Sequence, residues 1–123
     1  MNVPAQEHWF VAILVFESSI HAEKDGPKIK TYDPSVDLQY RLVCATDLES
    51  ACERAFVMGH EGEHAYENSD GNICAWSFKG LKDLEEVLDD ELVDGVEIYG
   101  YITEGRAEDY VDSKWRLRLF LGE

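Results

Sequence analysis

Basic residues are what this chain has least of. Eleven lysines and arginines stand against 26 acids, a formal charge of -15 over 123 residues. A surface of that sign repels phosphate backbones and excludes direct nucleic-acid binding through a basic patch, the source of most non-specific affinity. An anionic membrane surface repels it too. Long hydrophobic runs are also missing: the longest, Trp9 to Phe16, falls far short of the roughly 20 residues a membrane helix requires. The first eight residues hold a glutamate and no lysine or arginine, so no secretory signal is expected. The three cysteines, Cys44, Cys52 and Cys74, are odd in number and lack C-x-x-C spacing. That argues against a disulfide framework or a zinc knuckle and for a reducing cytoplasm. No phosphate-binding glycine loop, dinucleotide fingerprint or G-x-S-x-G elbow is present.

What is present supports one domain over residues 1–123, because a chain this long with 45% hydrophobic residues buries roughly two-thirds of its unfolded surface. The stretch 8–17 is apolar on both alternating faces and suits a central strand covered on both sides. Residues 18–35, with Asp25-Gly26-Pro27 and Asp33-Pro34, read as a long loop. Over 36–45 the alternation is clean: Val36, Leu38, Tyr40, Leu42 and Cys44 point inward, with Asp37, Gln39 and Arg41 outward. Thr46-Asp47-Leu48-Glu49 fits a capping box that opens a helix. Leu48, Cys52, Ala55 and Phe56 share its expected core face, and Gly59 is its expected stop. Ala65–Asn68 and Ile73–Phe78 flank an Asp70-Gly71 turn and predict a hairpin.

After Gly80 the spacing of Leu81, Leu84 and Leu88 predicts a second helix to about residue 91. Val96–Thr103 follows as a strand, and Trp115–Leu121, within 114–121, as an added terminal strand. The expected class is therefore α+β, a mostly antiparallel sheet of about five or six strands with two helices in the order β-β-α-β-β-α-β-β.

Four blocks carry a resemblance: His8–Ala12 with Phe16-Glu17, Tyr66-Glu67-Asn68, Trp76–Leu81, and Asp90-Glu91-Leu92 with Asp94–Tyr99. Over roughly residues 8–101 the chain resembles the bacterial family known as domain of unknown function 4288, small proteins with a strand-rich α+β pattern. The resemblance implies the order of elements and brings no activity, cofactor or site residue with it.

His60-Glu61-Gly62-Glu63-His64 satisfies both H-E-x-x-H and H-x-x-E-H, the spacing at which two imidazoles one helical turn apart grip zinc. Gly59 and Gly62 each weaken such a helix by about 1 kcal/mol relative to alanine, and the simpler reading is a polar loop. The three cysteines read as small core residues, and the many paired carboxylates identify no acid/base dyad in so acidic a chain. No catalytic residue, metal ligand or cofactor is assigned.

Charge is the feature that points to a function. Residues 47–97 hold 15 acids and only Arg54, Lys79 and Lys82 as bases. On the predicted second helix Asp83, Glu86, Asp89 and Asp90 share the side opposite Leu84 and Leu88. With Tyr99 and Tyr101 as aromatic anchors they make a candidate docking face for a basic protein. The leading expectation is a non-enzymatic binding module, of the kind an immunity protein against a basic toxin, or the binder of a regulatory partner, would be. The alternatives are a small metal-dependent hydrolase using the His60–His64 string, and a homo-oligomeric subunit pairing through an open sheet edge or strand 115–121.

Overall fold

The computed structural model describes residues 6–30, 33–89 and 91–112. Strand β1, His8–His21, is the spine of the fold. It pairs antiparallel with β2, Val36–Ala45, on one side and with β4, Ile73–Glu86, on the other, and β3, His64–Glu67, completes the sheet in the order β2-β1-β4-β3. One helix, α1, runs from Leu48 to Glu61, and a short 3-10 turn spans Ala107–Asp109. The expectation of five or six strands and two helices is thus corrected: the described residues form four strands and one helix.

The second predicted helix is the strand β4, and two bulges explain the misreading. Across β1, Phe78 pairs with Phe16 and Gly80 with Val15, so Lys79 is skipped; Leu81 pairs with Leu14 and Asp83 with Ile13, so Lys82 is skipped. Each extra residue resets the parity of the strand. Phe78, Leu81 and Leu84 therefore lie on one face at three-residue spacing, which in sequence is a helical signature. Leu88, expected inward, is 88% exposed. The expected strand at 96–103 is irregular chain, and the expected strand at 114–121 lies outside the described residues.

One face of the sheet meets α1. Phe10, Ala12, Leu14 and Phe16 of β1, with Val43 and Ala45 of β2 and Phe78 of β4, pack against Ala51 and Ala55. The helix buries its small residues, Ala51, Ala55 and Gly59, while Leu48 and Phe56, expected in the core, are exposed. Spacing of four along the chain brings those small residues onto one side and lets the backbone lie close to the strands. Gly59 is where the approach is tightest: a Cβ there would sit 2.5 Å from the Phe78 ring. The helix consequently runs through Gly59 to a C-cap at Gly62. At its start the cap is Asp47 rather than Thr46, its carboxylate accepting from the Ser50 N–H at 2.7 Å.

The loop after β1 starts later than residue 18, because β1 continues to His21. His21 Nδ1 lies 2.7 Å from the Gly26 carbonyl and the Ile29 N–H donates to Ile20 O, so the turn is tied back to the strand.

Candidate docking face

The opposite face of the sheet carries Asp83, Tyr99 and Tyr101 of the residues singled out for binding, in an arrangement different from a helical stripe. Tyr40, Ile13 and Asp83 lie side by side across β2, β1 and β4. The chain beyond β4 returns over this row. The Tyr99 hydroxyl donates to Asp83 Oδ2 at 2.8 Å, and its ring meets Tyr40 edge-on with centroids 5.7 Å apart. Touching both outer members, Tyr99 spans Ile13, which is wholly buried. Tyr101 stands beside it at 6.0 Å and is 68% exposed. The Asp83 carboxylate holds the Tyr99 phenol in its neutral form, pushing its pKa up to about 12.

Asp83, Glu86 and Asp89 do not form the single acidic face expected of them. Asp83 is turned to Tyr99, while Glu86, paired with Phe10, belongs to the helix side and contacts His8 at 3.4 Å. Asp89 lies beyond the strand and is exposed, and Asp90 lies outside the described residues. The structure instead brings together Glu85, Glu86, Glu97 and Tyr99 with the apolar Leu88 and Ile98 and Gly100 around a hollow of about 200 Å³. Glu85 and Glu97 at the hollow, and Tyr40 against the Tyr99 ring, are the residues that sequence reasoning missed.

The His60–His64 string does not make one helical face. His60 is in the last turn of α1, Gly62 caps it and His64 begins β3. Among the described residues no group of three or more histidine, cysteine or acidic side chains is arranged to hold a metal ion. Glu63 has a structural position: Oε2 accepts the Phe78 N–H at 3.0 Å and Oε1 lies 3.2 Å from His60 Nδ1. The ladder between β3 and β4 ends at Trp76, so this carboxylate supplies the partner that a longer β3 would have given Phe78. The Phe78 amide, and after it His60, hold the Glu63 carboxyl below its usual range. A second hollow, of about 310 Å³, lies on the helix side beyond the end of α1, bordered by Asp37, Gln39, His64, Tyr66 and Trp76.

The family model Domain of unknown function (DUF4288) matches residues 9–100. The chain belongs to this family. No curated protein and no solved structure matches it. The DUF4288 match runs from the second residue of β1 past Tyr99, so the tyrosine bridge and its carboxylate partner both fall within the family region. It bears out the resemblance read from the aromatic and acidic blocks. In this DUF4288 chain Cys44 and Cys52 are half-buried and Cys74 is buried, all three as free thiols. The Glu7 carboxylate, which accepts from Cys44 Sγ at 3.3 Å, raises the Cys44 pKa, opposite to what a nucleophilic thiol needs. No helix among the described residues is long and apolar enough to cross a membrane.

Proposed function

We propose that this protein is a non-enzymatic binding module, and that the hollow beside Tyr99 receives a basic side chain of a protein partner. The composition of that hollow carries the reading. Glu85 and Glu97 line it with two apolar residues, Leu88 and Ile98, and with Tyr99, and Glu86 borders it from the helix side. An arginine has the matching parts: an aliphatic stem for Leu88 and Ile98, a planar fork for a carboxylate, and a cation for the ring. At about 200 Å³ the space is smaller than the 300 to 1,000 Å³ usual for small-molecule sites, and it suits one side chain better than a substrate. Leu88 and Ile98 are 88% and 44% exposed, apolar surface that a partner would cover.

The acidic field of residues 47–97 would steer a basic partner and raise its encounter rate roughly tenfold to a thousandfold, an effect that salt removes. A cytoplasmic immunity protein that blocks a basic toxin is the most specific form of this reading; binding of a regulatory partner is the general one.

The test is affinity capture from the source lysate with the wild-type chain and a Glu85→Gln/Glu97→Gln variant side by side. The expected result is one basic protein held by the wild type, released by moderate salt, and bound about tenfold or more weakly by the variant. A partner held equally by both chains, or one that is itself acidic, would sink the reading.

A further inference from the structure

Among the described residues strand β2 forms one edge of the sheet, and six of its first seven residues are exposed. Val36, Leu38, Tyr40 and Leu42 make a row on the Tyr99 side and are 57%, 42%, 54% and 40% exposed. Such alternation normally marks a covered face, yet this row is exposed, with Tyr99 meeting it at Tyr40. On the helix side the same strand carries Asp37, Gln39 and Arg41. Gln39 links the other two, donating to Asp37 Oδ2 at 2.8 Å and accepting from Arg41 at 2.6 Å. Helix α1 packs over Val43 and Ala45 and leaves 36–42 uncovered.

Edge strands that must stay single are protected by charged side chains, by proline or by shortness. Residues 36–42 hold no proline, and their two charges, Asp37 and Arg41, are opposite in sign and symmetric about Gln39, so in a self-paired edge they attract rather than repel. We propose that β2 pairs antiparallel with β2 of a second copy of this chain, about a two-fold axis at Gln39. In that register residue i faces residue 78 minus i, which sets Asp37 opposite the second copy's Arg41 and Arg41 opposite its Asp37. On the other face Val36 meets Leu42 and Leu38 meets Tyr40, so the two apolar rows merge.

Facing residues have the same parity, so both turn their backbone groups outward or both turn them inward, and the ladder closes either way. Shifting the centre to Leu38 or Tyr40 would set a charge opposite Gln39 or an apolar residue, so only the Gln39 centre satisfies both charges. Val43 would face position 35, outside the strand, so the two helices lie at opposite ends of the junction. The contact is isologous and closes as a dimer with one eight-stranded sheet. It does not depend on the Tyr99 hollow receiving a partner, which is at the other side of β1.

Light scattering and sedimentation of the purified full-length chain over a range of concentrations test it, with three variants whose folding is checked by circular dichroism. The wild type is expected to dimerise. Asp37→Arg sets arginine against arginine, and Arg41→Asp sets aspartate against aspartate, twice per dimer in each case. Either is expected to weaken the dimer roughly tenfold or more, and the double swap Asp37→Arg/Arg41→Asp to restore it to within about threefold. A dimer indifferent to the single changes, or one the double swap fails to rescue, would overturn the register. A monomer at every concentration would overturn the proposal and leave the edge to another occupant, residues 113–123 of the same chain or a foreign strand.

Discussion

The two faces of the sheet are built on different principles. The helix face is dry and closely fitted: Phe16 and Phe78 lie 5.6 Å apart, Phe56 meets Phe78 edge-on, and Gly59 leaves no room for a methyl group. The opposite face buries Val11 and Ile13 of the central strand, but over β2 it is open, and a returning loop holds its tyrosines. The first arrangement gains from exact volume, the second from hydrogen-bond direction and charge. Close packing is therefore concentrated on one side of β1, and open aromatic and acidic surface on the other.

A methyl group at Gly59 breaks the fitted face most sharply. Gly59→Ala would favour the isolated helix by about 1 kcal/mol. Against the Phe78 ring it overpacks, and a net loss of about 1–3 kcal/mol is expected in urea denaturation. A stabilised variant would show that the helix can lift off the strands without cost.

Glu63 sharpens the comparison by pH. Its folded carboxyl titrates below its ordinary value, so the stability it contributes is present above that value and is lost as pH falls through the folded one. Glu63→Gln should lower the melting temperature at neutral pH and bring the two proteins together in acid. Parallel melting curves down to acid pH would remove the carboxylate from the bracket between α1 and β4.

Tyr99 gives the smallest effect, on the open face. Its folded pKa of about 12 lies above the ordinary value of 10.0, so its contribution is intact below that ordinary value and is lost as pH rises toward about 12. Spectrophotometric titration should show one late-ionising phenol that disappears in Tyr99→Phe and shifts down in Asp83→Asn. An unshifted titration in Asp83→Asn would mean that Asp83 does not hold the phenol.

The strands β1 and β2, helix α1 and the hairpin from β3 into β4 were legible because each keeps a regular period over its own length. The continuation of β4 was not, because the skips at Lys79 and Lys82 turn a two-residue period into a three-residue one. Of the candidate site, Tyr101 was legible as an exposed aromatic, whereas Tyr99, read the same way, is half-buried against Asp83 and Tyr40. Their geometry was hidden, since the partner of Tyr99 is 16 residues away and is reached only when the chain folds back.

By itself the sequence determined which residues of each regular strand share a face, where α1 begins to within a residue, and an acidic charge that no fold could hide. Only the tertiary structure decided which face is covered. On β2 the alternation names two sets, yet the core receives Val43 and Ala45 while Val36, Leu38, Tyr40 and Leu42 stay open. Periodicity is a property of the local backbone, whereas burial depends on which element arrives to cover a face, and here α1 reaches only one end of the strand.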